Sequence, residues 1–323
     1  MQQCLKTILR RFIILIPQLA ALSITIFFLA QLMPGDALTG LIDPDVSPED
    51  IQRIRNELGL DRPWFLQYID WVNGLIKGDF GRSWHYARPV TEVIGERLPN
   101  TIRLSFLTAV FTYIIAVPLG LTAGRYKETI IDRIIVGYTF FAMAMPTIIF
   151  ALLNIFIFGF RLRLFPVVGS VHVGLVAGTA QFYISRFHHL ILPALTGAFL
   201  GTVGIINILR NEIIDNENAD YVMTARSKGV PNHMVYNKHI FRNASLPIAS
   251  GFGFAITGLL SGSVFIERVF GFPGMGNLFI SSITARDFPT ANALIMIYGF
   301  IGVMGVLLSD IFITIADPRI RIK

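Results

Sequence analysis

The sequence has 323 residues, of which 53% are hydrophobic and 15% are charged. A soluble domain carries about 25% charged residues, so this composition excludes an ordinary soluble fold and favours a membrane-embedded chain. The net charge of +6 does not indicate nucleic-acid binding, because the basic residues are dispersed between apolar stretches and form no basic face.

The N-terminus resembles a secretory signal, because Lys6, Arg10 and Arg11 precede an uncharged stretch over residues 12–35. That stretch exceeds the roughly 7–15 residues of a cleavable apolar region, and no small-x-small cleavage site follows it. We therefore predict that residues 1–35 are the N-terminus and a retained first transmembrane helix.

Residues 36–99 are predicted to form an extracytoplasmic loop with short amphipathic helices. Residues 47–50 read Ser-Pro-Glu-Asp, which is typical of a helix start, and Gly59 follows as a stop. A second helix is predicted from about Pro63 to Ile76, with an aromatic stripe of Trp64, Tyr68 and Trp71. These helices could dock an external partner, or lie on the bilayer or on the chain's own bundle.

Seven uncharged windows are long enough to span a membrane: 12–35, 104–124, 134–160, 164–185, 190–209, 243–266 and 288–309. Six of them are predicted to be helices. Window 164–185 is predicted to be looped or re-entrant, because it contains Pro166 and several glycines and is separated from the next window by only four residues.

The distribution of Lys and Arg in the short loops supports six spans. With the N-terminus inside, fourteen such residues lie on the cytoplasmic side and five outside, whereas seven spans give nine against ten. We predict an all-α integral membrane protein of six transmembrane helices with cytoplasmic N- and C-termini. Residues 100–323 then form a five-helix core with a cytoplasmic loop at 210–246.

No catalytic or metal centre is predicted. The sequence has no Gly-Lys dipeptide, hence no P-loop, no His-Glu-x-x-His motif, and a single cysteine, Cys4. Ionisable residues are nearly absent from the middle of the apolar windows. This disfavours an ion-coupled secondary transporter, which needs such groups to couple transport to an ion, and the missing catalytic cluster disfavours a membrane enzyme.

Polar uncharged residues inside the windows are candidates for lining a translocation path, although hydrogen bonding between helices is the commoner use of such residues. The candidates are Asn154, Asn207, Ser261 and Ser263. Pairs of small residues four positions apart, Gly197/Gly201 and Gly258/Gly262, predict close packing between helices.

The inner loop contains a short run that has its own helix signals. Asn218 is predicted to cap the helix and Asp220 to lie in its first turn; Arg226 and Lys228 lie near its end. Gly229 is predicted to end the helix in the left-handed conformation, with Pro231 blocking continuation. The result is a capped cytoplasmic helix with small Thr224 and Ala225 on its surface, which could fit a groove on another protein.

This run, together with motifs along most of the chain, resembles binding-protein-dependent ABC importer permeases of the oligopeptide/dipeptide/nickel group. The coupling-loop motif is Asp220-Tyr221-Val222-x-Thr224-Ala225-Arg226-x-Lys228-Gly229, followed by Leu246-Pro247. Met223 and Thr224 replace the Glu and first Ala of the general importer pattern. Further matching stretches are Met33–Asp36, Leu58–Pro63, Gly78–Ser83, Arg97–Thr101, Leu164–Pro166, Glu267–Gly276 and Asp317–Arg321.

The resemblance implies a type I ABC importer permease, specifically the first permease of an oligopeptide transporter in the cell membrane. It implies a second homologous permease subunit, two ATPase subunits that carry the ATP and Mg²⁺, and an extracytoplasmic solute-binding protein. The residues it assigns to ATPase coupling are Asp220, Tyr221, Thr224, Ala225, Arg226, Ser227, Lys228 and Gly229. Dipeptides, nickel or another small solute remain alternative cargoes, because the coupling loop reports the energy source and not the solute.

Overall fold

The structure is a computed structural model that describes residues 2–32, 49, 52–53, 56, 61–251, 257–258 and 264–316. Over these residues the regular secondary structure is helical, apart from one isolated antiparallel bridge between Arg82 and Pro89. The predicted all-α class is therefore confirmed. Most of the first predicted amphipathic helix, and residues 252–256 and 259–263 of window 243–266, which include Ser261 and Ser263, lie outside the described residues.

The helices in chain order are α1 (Gln2–Leu32), α2 (Trp64–Ile76), α3 (Val90–Arg125), α4 (Ile130–Ala144), α5 (Thr147–Asn154), α6 (Ala180–Asn216), α7 (Asp220–Ser227), α8 (Asn232–Met234), α9 (Phe241–Ala244), α10 (Leu246–Ser250), α11 (Val264–Val269), α12 (Met275–Thr284) and α13 (Phe288–Ala316). A π-helical turn, Ile155–Arg161, extends α5, and another, Val235–Ile240, joins α8 to α9. The chain divides into two compact units, Met1–Thr101 with Pro273–Met304, and Ile102–Phe272 with Gly305–Lys323.

Among the described residues, α3, α6 and the Phe288–Ser309 part of α13 are each long and apolar enough to cross a membrane. Helix α4 and the extended α5 pass the same test together but meet at an angle of 104°. A shorter apolar helix covers Ile13–Leu29 within α1.

Window 134–160 is broken, which corrects the prediction of one continuous helix there. Helix α4 ends at Ala144, and Met145 has an extended backbone with φ −82° and ψ 118°. Pro146 disfavours the helical conformation in the residue before it and then begins α5 as its N-cap. The proline therefore separates the two helices.

In the first unit, the aromatic stripe of α2 packs against α1. The Phe27 ring lies 5.4 Å from the Tyr68 ring and 6.1 Å from the Trp71 ring, centroid to centroid. The Tyr68 and Ser23 hydroxyls are hydrogen-bonded at 2.9 Å. The second predicted amphipathic helix is therefore present and packs on α1.

A buried carboxylate in the same unit fastens the loop before α3 to the start of α13. Asp287 accepts hydrogen bonds from the Ser83 hydroxyl, from the Trp84 backbone N–H at 3.0 Å and from the Thr290 hydroxyl at 2.7 Å. Its side chain satisfies donors from both segments, as expected of a buried charge. Helix α3 begins at Val90, so the boundary predicted at residue 99 lies inside a helix.

Helices α3 and α6 pack side by side in the second unit through small residues. A Cβ placed on Gly120 would lie 3.0 Å from the Leu209 Cβ, and one on Gly124 would lie 2.7 Å from the Ile213 Cβ. Nearer the starts of both helices, Gly197 faces Thr108 and Gly201 faces Thr112. From one of these contacts to the next, the residue number rises in α3 and in α6 alike, so the two helices run parallel.

Helices α4 and α5 progress along α6 in the opposite direction. The Arg210 guanidinium pairs with Asp132 at 2.7 Å, and the Tyr138 hydroxyl bonds to the Phe199 carbonyl at 2.9 Å. Farther along α5, Ile155 packs in one buried cluster with Leu190. Residues 162–179 contain no helix, as predicted for window 164–185, but residues 180–185 of that window are helical. Helix α6 begins at Ala180, and the Thr179 hydroxyl accepts a hydrogen bond from the Phe182 N–H.

We expect Gly124→Ala to destabilise the protein, because its new methyl group would overlap Ile213 and lie 3.1 Å from the Arg210 carbonyl. Overpacking of this kind lowers the free energy of unfolding by about 1–3 kcal/mol, whereas the greater helix propensity of Ala raises it by at most about 1 kcal/mol. Gly137→Ala in α4 is the control, because a Cβ there meets nothing within 4 Å. Thermal unfolding of the detergent-solubilised protein should show a lower midpoint for Gly124→Ala only, and equal midpoints would contradict the packing.

Candidate functional site

The predicted inner loop is a layer of short helices packed on the end of α6. Helix α6 continues to Asn216, and α7 with the following helices buries Val222, Val235 and Ile240 against Leu209 and Ile213 of α6. The layer therefore shares a core with the long helix and is not an isolated element.

Helix α7 begins at Asp220, and its N-cap residue is Ala219, which makes no side-chain capping hydrogen bond. The prediction that Asn218 caps the helix is wrong. The first-turn position of Asp220 and the last-turn position of Arg226 are as predicted, and both complement the helix dipole.

The end of α7 has the predicted left-handed glycine. Gly229 has φ +71°, its N–H donates to the Arg226 carbonyl at 2.9 Å, and the Val230 N–H donates to the Ala225 carbonyl at 3.2 Å. These are the two hydrogen bonds of a Schellman motif, which satisfies carbonyls at the end of a helix. Pro231 then begins the next helix as its N-cap.

The exposed face of α7 differs from the prediction at Ala225. Ala225 is buried in the core shared with α6, because it lies three residues after the fully buried Val222 on the same side of the helix. Four exposed side chains form the opposite stripe at helical spacing: Asp220, Met223, Thr224 and Ser227. Met223 is 59% exposed and is the one large apolar side chain among these four.

Glu217, between α6 and α7, ties three segments together. Its Oε2 lies 2.8 Å from the Lys127 Nζ in the turn after α3. Its Oε1 accepts a hydrogen bond from the Tyr236 hydroxyl at 2.8 Å and lies 3.8 Å from an Nη of Arg226 in α7. We call Lys127, Glu217, Arg226 and Tyr236 the Glu217 cluster.

The charges of the Glu217 cluster are stable at neutral pH. The Lys127 ammonium lowers the pKa of the Glu217 carboxyl below its ordinary value of 4.5, burial opposes this, and the Tyr236 hydroxyl assists it. The pKa of Lys127 is raised by the same carboxylate. A carboxyl group with a lowered pKa stabilises the folded protein fully at pH values above its pKa in the unfolded chain. This stabilisation is lost as the pH falls through the pKa of the folded state. The Lys127–Glu217 ion pair is therefore intact throughout the physiological range.

Aromatic residues reinforce this attachment. The Arg125 guanidinium lies over the Tyr236 ring at 5.6 Å, and the Tyr221 hydroxyl donates to Asn216 at 2.9 Å. Tyr221, predicted as a coupling residue, is thus half-buried and directed at α6. Arg226, Lys228 and Gly229 are exposed, as a docking surface requires.

The candidate path residues do not converge in the described part of the chain. The Asn154 amide donates to the Phe150 carbonyl at 3.0 Å and is thereby satisfied within its own helix. Asn207 is half-buried in α6, and its side chain makes no hydrogen bond with any described residue.

Sequence reasoning missed Lys127, Glu217 and Tyr236. Each reads as an ordinary polar residue of a cytoplasmic loop, and Lys127 lies 90 positions from Glu217. No local signal singles out Glu217, because Glu212, Asp215 and Asp220 are acids within five residues of it.

Comparison with known proteins covers nearly the whole chain. Residues 116–322 match the sequence family described as binding-protein-dependent transport system inner membrane component, and residues 4–105 match the N-terminal family of the same membrane component. The chain is 36% identical to an oligopeptide transport system permease protein of Bacillus subtilis, over 97% of this chain and 98% of the relative. It is 32% identical to a dipeptide transport system permease protein of Lactococcus lactis, over 98% and 99%.

We expect Glu217→Gln to loosen α7, because the neutral amide loses the ion pair with Lys127 and weakens the contact with Arg226. Amide hydrogen exchange over residues 220–228 should accelerate several-fold, since local opening reports the lost interactions. Asp215→Asn is the control, because Asp215 is an exposed acid two residues earlier. Unchanged exchange in Glu217→Gln, or an equal change in Asp215→Asn, would contradict the role of the cluster.

Proposed function

Because the chain belongs to the family of binding-protein-dependent transport system inner membrane components, we propose that it is the permease through which an ABC importer moves oligopeptides. The observation that carries this proposal is the full-length similarity to peptide permeases, combined with an exposed helix clamped to the inner end of α6. Dipeptides are the second candidate, because the relative from Lactococcus lactis is named for them.

The chain is a multi-pass membrane protein, and we propose six crossings of the cell membrane with both termini cytoplasmic. Parallel packing of α3 and α6 supports an odd number of crossings between them. The intervening chain must return from the level of Ile213 to that of Ala180, about 50 Å at 1.5 Å per residue. The contacts of α4 and α5 along α6 make this bent pair the returning crossing, which leaves no place for a further one at 164–185.

We assign ATPase coupling to the exposed stripe of α7 and to the residues that follow it. The surface consists of Asp220, Met223, Thr224, Arg226, Ser227, Lys228 and Gly229. Ala225 and Tyr221 instead hold α7 on α6, so they would transmit movement without touching the ATPase. The Glu217 cluster carries the same movement to the turn after α3.

The proposed assembly contains a second homologous permease, two ATPase subunits and an extracytoplasmic solute-binding protein. ATP and Mg²⁺ belong to the ATPase subunits, and this chain has neither a nucleotide site nor an enzymatic role in the proposal. Asn207 stays as the candidate path residue, because its half-buried amide has no protein partner among the described residues and could bind a passing peptide group.

Met223→Asp is expected to detach the ATPase subunits while leaving the chain folded, because Met223 is 59% exposed and its burial occurs only in the complex. A charge at the centre of an apolar contact must be desolvated without a partner, so ATP-driven uptake should fall at least about tenfold. Met223→Leu keeps the apolar volume and is the control. Co-purification of the ATPase subunits measures the effect, and normal uptake by Met223→Asp would refute the assignment.

The cargo is tested by uptake in the complete transporter reconstituted in vesicles. Labelled oligopeptide uptake should require ATP hydrolysis, resist a protonophore and be competed by longer peptides more strongly than by dipeptides or nickel. Competition by nickel or dipeptides alone would reassign the cargo. Uptake that persists without ATP and is abolished by the protonophore would instead favour the ion-coupled alternative.

A further inference from the structure

A cavity of about 530 Å³ opens beside the start of α4, at the end of the second unit that also holds the Glu217 cluster. Its lining combines four charged residues with an apolar wall: Glu128, Asp132, Arg133 and Arg210, and then Gly137 and Phe140. In the proposed topology this cavity lies at the cytoplasmic boundary of the membrane.

Two of the four charges neutralise each other. Asp132 is buried and receives both the Nε of Arg210 at 2.7 Å and an Nη at 2.8 Å, which is a bidentate ion pair. Asp132 also accepts the Glu128 backbone N–H at 2.8 Å. This pair is therefore part of the wall of the cavity and has little capacity left for a ligand.

The other two charges interact with protein charges only at longer range, Glu128 with Lys127 and Arg210 and Arg133 with Asp132. Glu128 and Arg133 are exposed, and neither side chain forms an ion pair or hydrogen bond with any described residue. The cavity thus offers one free carboxylate and one free guanidinium, with no net charge between them.

The apolar wall continues from Arg133 along one face of α4. Gly137 and Phe140 follow Arg133 at helical spacing, and Phe140 is 68% exposed. A Cβ on Gly137 would meet nothing within 4 Å, so the glycine leaves an open notch beside the exposed ring. A chain that runs from the charged rim into the membrane fits this notch.

We propose that this cavity binds a phospholipid whose headgroup carries a primary ammonium, with the phosphate on Arg133 and the ammonium on Glu128. The acyl chains lie over Gly137 and Phe140. The proposal rests on the proposed topology, which puts the rim at the headgroup level of the inner leaflet. An anionic headgroup without an ammonium provides no positive charge for Glu128. A fully methylated ammonium provides the charge but has no N–H group that could donate a hydrogen bond to Glu128.

A protein partner is the less favourable occupant of this cavity. A helix of the second permease subunit packed on Gly137 and Phe140 would desolvate Arg133 and Glu128 unless it supplied a partner for each. A zwitterionic headgroup supplies both partners in one molecule and keeps them at the membrane surface.

The test is lipid retention by the complete reconstituted transporter, exchanged into vesicles of equal parts phosphatidylethanolamine, phosphatidylglycerol and phosphatidylcholine and examined by native mass spectrometry. Phosphatidylethanolamine should be enriched over both other lipids. Arg133→Ala should reduce its retention about tenfold, the effect of losing one charge-assisted hydrogen bond. Arg242→Ala is the control, because Arg242 is an exposed cytoplasmic base outside the cavity.

Two further variants distinguish recognition of the lipid headgroup from binding of the acyl chains. Glu128→Gln should remove the preference for phosphatidylethanolamine over phosphatidylglycerol without lowering total lipid, and Asp215→Asn should not. Gly137→Trp should lower the retention of all three lipids, because the ring fills the notch.

Retention that is equal in Arg133→Ala and Arg242→Ala would overturn the proposal. So would cross-linking of Gly137→Cys to the second permease subunit with no change in bound lipid, because the cavity would then be a protein interface. Lipid enrichment without peptide uptake would contradict the proposed cargo and leave the lipid site standing, so the two failures are distinguishable.

Discussion

The parallel contact between α3 and α6 is the constraint on which the rest of the second unit depends. Gly120 and Gly124 have no side chains, so the two backbones approach closely. Leu209 and Ile213 of α6 occupy the space that side chains at these two positions of α3 would take. In a bilayer, close packing of this kind replaces the hydrophobic force that brings helices together in water. Because the two helices run in one direction, the chain between them must return along α6, and α4 and α5 do so.

The same contact also supports α7. Ile213 belongs both to the α3–α6 contact and to the core under α7, so α7 rests directly on the helix pair. The Glu217 cluster adds a polar attachment at the rim, where partial exposure to water weakens each ion pair. The apolar core therefore fixes the position of α7, and the cluster fixes its orientation.

The sequence predicts those features that depend on local chemistry. The left-handed Gly229, the amphipathic helix Trp64–Ile76 and the absence of a helix at the start of window 164–185 follow from residue types within one turn or one loop. The burial of Ala225 is not local, because it depends on the neighbouring α6. The Glu217 cluster likewise depends on the pairing of Glu217 with Lys127, 90 positions earlier in the chain, which no short motif encodes.

The inner turn between α3 and α4 is fastened to α6 at two points. Lys127 pairs with Glu217 at one end of the turn, and Asp132 pairs with Arg210 at the other. Any rotation of α4 about its inner end would have to separate these charges where they are partly desolvated, which is costly. The bend at Met145 and Pro146 carries no such pair, and Pro146 has already removed a helical hydrogen bond there. A change of angle between α4 and α5 would therefore leave both ion pairs at the α3–α4 turn intact.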